Sequence, residues 1–322
     1  MDRSTNGSAE NDRDFQEPDA IKARIAWYYF VGGLTQQEIA HKLKITRTRV
    51  NRAVGQLRVD GSVRTEIRLP LAECVGLEDA LEKKFGLQSV YVVPKLDSED
   101  TQQRAIGEAA GAMLDGMLTE RTGLGVGWGR TLAAALPSLT QRQFTQAWVA
   151  TLMGGLTQGM GTTTFEVATA FARVMGSECY YLAVPLHLPH AVSRGLLEEH
   201  DDIAEVFSRL ETTDIALVSC GDLSKRSQLT NTKTVAENLK SLKEAGAVGD
   251  ILGLFVDENG EPVDHPLNDR LMAMPIESLK RVPTSILASG GEHKMKIIRA
   301  VLRAGLVNHF VTDEKCATLL LK

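Results

Sequence analysis

From about residue 71 to the end, short apolar segments alternate with helical ones. That alternation restricts the fold more than any other feature of the chain. Strand candidates are SVYVVP (89–94) and residues 123–126, 148–153, 179–184, 215–219, 251–256, 285–288 and 309–312. Between them lie helix candidates at 77–85, 104–117, 165–175, 192–199, 235–245, 294–304 and 314–321. Short buried strands that each need a helical crossover predict a mostly parallel sheet with helices on both faces, a Rossmann-like α/β domain.

In open sheets of this kind a ligand crevice lies outside the carboxyl ends of the strands. Three glycine-rich turns fall there. GVGWGRT (125–131) places Gly125, Gly127 and Gly129 after a strand and Arg130 and Thr131 at a helix start. Backbone N–H groups at such a turn favour an anion, and Arg130 and Thr131 add donors. It is not a dinucleotide fingerprint, because Arg130 holds the place of the third glycine and no acid follows about 20 residues on. Nor is it a phosphate-binding P-loop, which needs GK[ST]. A phosphate or sugar-hydroxyl cradle fits better, although a tight strand-to-helix turn alone also uses glycine. MGG (153–155) contributes Gly154 and Gly155; ASGGEHK (288–294) contributes Gly290, Gly291 and Lys294, which reaches an anion as a point charge. In AVGDILG (247–253) Asp250 adjoins a buried strand, where it would accept hydroxyls or cap a turn. The histidines lack metal-ligand spacing and no GxSxG elbow occurs, so neither a metal, a cofactor nor a serine hydrolase site is expected.

The N-terminal part follows a different pattern. Residues 35–57, TQQEIAHKLKITRTRVNRAVGQL, read as helix, turn, helix. Thr35 is an N-cap and Glu38 completes a capping box; Ile39, Ala40 and Leu43 share a face. Thr46 caps the second helix, whose inner face is Val50, Ala53, Val54 and Leu57. Lys44 holds the turn position where glycine is common. The outer face carries Arg47, Thr48, Arg49, Asn51 and Arg52, side chains that bind phosphates and read base edges in a major groove. With Thr35, Gln36 and Thr46 at the two helix starts, these are the candidate DNA-contacting residues. Residues 41–68 hold eight Lys/Arg and two acids, a net of +6 on a chain of net −5, which leaves −11 for the rest. A local basic patch on an acidic chain is an electrostatic footprint for nucleic acid. Residues 21–31 predict a preceding helix ended by Gly32 and Gly33, and SVRTEIRLP (62–70) a strand pair or wing carrying Arg64 and Arg68.

Three parts result: a disordered tail at 1–19, a winged helix-turn-helix at 20–70, and an α/β effector and oligomerisation domain at 71–322. No apolar run reaches the roughly 18 residues of a membrane span, and no apolar signal core opens the chain. Cys74, Cys179, Cys220 and Cys316 are widely spaced, as expected of reduced thiols in a cytosolic protein.

In this order, TQQEIAHKL, VNRAV, DGSV, GVGWGRTLAA, MGG, GAVGDILG, DENG, ASGGEHK and VTDE resemble the SorC/DeoR-type bacterial transcription regulators over residues 21–322. The resemblance implies a winged helix-turn-helix joined to an effector domain similar to sugar-phosphate isomerases and CoA-transferases. It also implies a homotetramer controlled by a phosphorylated sugar or related metabolite, with Gly127, Gly129, Arg130, Thr131, Asp250 and Lys294 at the effector. The expectation is a cytoplasmic, non-enzymatic regulator of a carbohydrate or polyol catabolic operon, with operator DNA and a phosphorylated sugar or polyol as partners. The competing reading is a sugar-phosphate isomerase or deaminase with an appended DNA-binding module.

Overall fold

The structure, a computed structural model, describes residues 18–59, 62–63, 72–156 and 162–322. It divides into two units, Met1–Leu69 and Pro70–Lys322.

In the first unit Asp19–Ala26 is an α-helix that widens into a π-helical turn over Trp27–Val31, so the expected helix at 21–31 is two geometries in series. Gly33, at φ +66°, turns the chain toward the next helix, Gln36–Leu43. There the capping box is complete: the Glu38 N–H donates to the Thr35 hydroxyl at 3.3 Å, and Glu38 accepts from the Thr35 N–H at 2.8 Å. Lys44 ends that helix in the left-handed region at φ 53°, and the Ile45 N–H reaches back to the Ala40 carbonyl at 3.0 Å. Arg47–Val59 follows, with Thr46 accepting from the Arg49 N–H at 3.3 Å. Ile25, Ile39, Ala40, Val50, Ala53, Val54 and Leu57 close one small core. Of the expected tail at 1–19, residues 1–17 lie outside the described residues and Asp19 already opens the first helix; most of the expected wing, including Arg64 and Arg68, also lies outside them.

Among the described residues the second unit holds ten strands: β1 (Ser89–Val93), β2 (Gly123–Val126), β3 (Trp148–Thr151), β4 (Glu178–Tyr180), β5 (Ile215–Val218), β6 (Cys220–Asp222), β7 (Gly249–Ile251), β8 (Leu254–Val256), β9 (Thr284–Ala288) and β10 (His309–Asp313). Seven form a wholly parallel sheet in the order β1-β10-β9-β5-β2-β3-β4. Its central strands are buried on both faces, as alternate residues show: Ile215 and Leu217 join one core, Ala216 and Val218 the other. Among the described residues no helix is long and apolar enough to cross a membrane.

Two expectations need correction. Residues 251–256 are not one strand: Leu252 (φ 53°) and Gly253 (φ 82°) fold them into a hairpin of β7 and β8. With β6 this hairpin makes a separate three-stranded antiparallel sheet. In the segment 179–184 the strand ends at Tyr180.

The helix Glu99–Asp115 forms one wall of the unit's cleft, and its glycines set how closely it packs. A Cβ on Gly111 would stand 2.2 Å from the Ala135 carbonyl oxygen, backbone that cannot swing aside. Gly111→Ala is expected to destabilise the second unit by about 1–3 kcal/mol through overpacking. Urea unfolding of the variant against the wild type measures this.

Candidate effector cleft and nucleic-acid interface

The outer face of the helix Arg47–Val59 presents Arg47, Thr48 and Asn51 to solvent, with Arg49 and Arg52 half-buried. Thr46 is exposed at its start. Gln36, on the preceding helix, donates its side-chain amide to Asn51 Oδ1 at 3.1 Å, which ties the two helices together at this face. The Thr35 hydroxyl is used within the capping box, donating to Glu38 at 2.7 Å. Gln36 and Asn51 therefore share one surface, and Thr35 shapes it through the helix start.

In the second unit a cleft of about 930 Å³ opens at the carboxyl ends of β1, β2, β5, β9 and β10. Gly129, Arg130, Thr131, Asp250, Gly290, Gly291 and Lys294 all line it. Gly129 (φ 111°, ψ 167°) and Gly291 (φ 92°, ψ 141°) occupy backbone regions closed to residues with a Cβ, so each turn can bring its main chain up to the cleft. Thr131 is buried, its hydroxyl accepting from Gln103 at 2.9 Å, while Arg130 is exposed at the mouth.

Gly127, Gly154 and Gly155 do not line this cleft. The Gly127 N–H extends the β2–β5 pairing to the Leu217 carbonyl at 2.9 Å. Gly154 donates to Met272 and Gly155 to Val184, at 2.8 and 2.9 Å. A Cβ on Gly154 would meet the Val184 carbonyl, and one on Gly155 the Phe165 ring, each at 2.6 Å. Close packing accounts for both. Nearby, 157–161 of the glycine-containing loop lie outside the described residues.

Several lining residues escaped the sequence reading. Asp313, at the end of β10, is the clearest. One of its oxygens accepts from the Gly291 N–H and the other from the Cys316 N–H, both at 2.8 Å, so it locks the Gly290–Gly291 turn to the last helix. Its signal was present in the VTDE run. Glu99, Asp100 and Arg226 also line the cleft, and nothing in their local sequence marked them.

Asp250 sits on β7 with only 4% exposure. Burial pushes its carboxyl up to about 7; the Gly253 N–H at 3.1 Å and the Lys294 charge oppose that shift, and Asp222 adds to it. Burial also pushes the Cys220 thiol up to about 11, so at neutral pH it is a protonated donor to Ser289 at 3.3 Å rather than a nucleophile. Among the described residues no group of three His, Cys, Asp or Glu is placed to hold a metal.

Burial of Asp250 couples its protonation to folding. The folded state holds this proton more tightly than the unfolded chain, so stability falls as pH rises from about 4 to about 7. Asp250→Asn is expected to remove that fall, with a gain on the order of 3 kcal/mol over wild type at pH 8. Denaturant unfolding of both proteins across pH 4–8 measures it.

Residues 70–322 match the family model Sugar-bind, a sugar-binding domain. The erythritol catabolism regulatory protein EryD of Brucella abortus (strain 2308) is 28% identical over 306 residues, 94% of this chain and 96% of that protein. The transcriptional regulator LsrR of Escherichia coli O139:H28 is 31% identical over 322 residues, 98% of this chain and 99% of its own. The full-length sorbitol operon regulator SorC from Klebsiella pneumoniae superposes with a TM-score of 0.74 at 25% identity, covering 96% of this chain and all of that one. The chain belongs to the sugar-binding domain family, together with the SorC, LsrR and EryD transcriptional regulators.

Proposed function

We propose that the chain is a DNA-binding regulator of a carbohydrate or polyol catabolic operon. In this reading the helix Arg47–Val59 reads operator DNA and the cleft binds a phosphorylated sugar or polyol. The observation that carries the ligand reading is the meeting of two glycine turns in one cleft, one bringing Arg130 and Thr131 and the other Lys294. Two cations beside two main-chain approaches suit a phosphate better than an uncharged sugar. Buried Asp250 then faces hydroxyls, because it would repel the phosphate when ionised. The names of EryD and SorC, which refer to erythritol and sorbitol, support the polyol class.

Binding without turnover is part of the same reading, supported by the regulator relatives. Self-association through the second unit, as a tetramer, would pair DNA-binding units on a symmetric operator. The ligand shifts DNA affinity only by its differential affinity for two arrangements, so its effect at the operator is of order 5–150-fold.

Arg130→Ala and Lys294→Ala are expected to abolish the response to a phosphorylated ligand while leaving operator affinity intact. Calorimetry with phosphorylated and unphosphorylated forms of each candidate, together with operator titration, tests this. Equal affinity for both forms, or a normal response in both variants, would relocate the site. In the first unit, Arg47→Ala, Arg49→Ala and Arg52→Ala are each expected to weaken operator binding. A lost phosphate contact lowers the salt slope by about one unit, and a lost base contact costs roughly 1–3 kcal/mol at one operator position. Operator binding unchanged in all three would move the DNA-reading surface elsewhere.

A further inference from the structure

The cleft is not a positively charged funnel. Five cations line it, Lys95, Arg130, Arg226, Lys294 and Lys315, against six carboxylates, Asp97, Glu99, Asp100, Asp250, Glu292 and Asp313. Three of the exposed cations of the rim are held by rim carboxylates. Arg226 Nη1 lies 2.7 Å from Glu99, Arg130 Nη1 3.4 Å from Asp100, and Lys315 Nζ 2.5 Å from Glu292. The first two pairs cross the mouth. Glu99 and Asp100 open the helix after β1, whereas Arg130 follows β2 and Arg226 follows β6.

The two carboxylates are presented by the backbone rather than gathered by the arginines. Ser98 caps their helix, accepting from the Thr101 N–H at 3.2 Å. Gln102 clamps the preceding turn from both sides, accepting from the Leu96 N–H at 2.7 Å and donating to the Pro94 carbonyl at 3.0 Å. An anionic ligand reaching Arg130 must therefore meet Asp100, and one reaching Arg226 must meet Glu99. Both pairs are well exposed, with side-chain accessibilities of 58% and 88% for Arg130 and Asp100, and 57% and 75% for Arg226 and Glu99. Exposed pairs contribute little, roughly up to fivefold in an equilibrium constant each. A phosphate making charge-assisted bonds to the same guanidinium groups can displace them.

We propose that Glu99 and Asp100 are an internal counter-anion, holding in the ligand-free protein the arginines that an anionic effector takes over, so that effector entry is an exchange of carboxylate for ligand. This rests on the reading of the cleft as an anion site. The exchange supplies what a switch requires, a set of contacts made differently in the two states. It frees the turn at 94–100 and the start of the helix Glu99–Asp115 from the loops after β2 and β6. It also lowers effector affinity, because part of the binding energy goes into displacing the resident charges.

The test is calorimetric titration of the full chain with inorganic phosphate at constant ionic strength, which holds general screening fixed. The proteins compared are wild type, the double variant Glu99→Gln/Asp100→Asn, Arg130→Ala, and Glu108→Gln. Glu108 pairs with Arg104 on the same helix, outside the cleft, and controls for a change in overall charge. The double variant is expected to bind phosphate roughly threefold to tenfold more tightly than wild type, with Glu108→Gln unchanged. If phosphate binds wild type and is lost in Arg130→Ala, but the double variant binds no more tightly or Glu108→Gln gains equally, the exchange is wrong and the anion site stands. If phosphate binds none of the four proteins, the anion reading fails and takes the exchange with it.

Discussion

The parallel pairing of β2 with β5 is the contact on which the second unit's site depends. Chain order reverses there: β3 and β4 lie on one side, β9, β10 and β1 on the other. The register sets Val126 beside Leu217, and the Gly127 N–H adds one more bond to Leu217 at 2.9 Å before the chains part. Beyond that bond the chain after β2 enters the Arg130 turn, and the chain after β5 enters the small antiparallel sheet. A crevice between them follows from topology, since no further strand pairing fills the space.

What fills the crevice differs with depth. Asp250 is almost fully buried on β7, where an uncompensated charge is costly, and it stays near its midpoint at neutral pH. The rim carries exposed ion pairs that solvent weakens and a ligand can replace. Asp313 links the levels by holding the Gly291 turn with one oxygen and capping the last helix with the other. A ligand with a polar hydroxylated body and a charged end matches that gradient.

The local parts of this architecture were legible in the sequence because local rules govern them. The Thr35 and Glu38 capping box, the apolar face ending at Leu57 and the left-handed position of Lys44 each follow from a few adjacent residues. The glycines at 129 and 291 were legible for the same reason. The β6–β8 sheet was not, because its hairpin turns at Leu252, a residue type that seldom adopts positive φ. Gly154 and Gly155 look locally like a binding turn, yet their small size serves packing against residues distant in sequence. The rim pair of Glu99 with Arg226 spans 127 positions, and no periodicity announces it.

The most direct test of the cleft as the effector site is amide hydrogen exchange on the full chain, with and without a phosphorylated polyol first shown to raise its melting temperature. A ligand that binds only the native state slows exchange where it contacts or orders the backbone. Slower exchange is expected at residues 128–131 and 290–295, the two turns that meet in the cleft. Unchanged exchange at both, with protection confined to other segments such as 152–156 and 182–186, would contradict it.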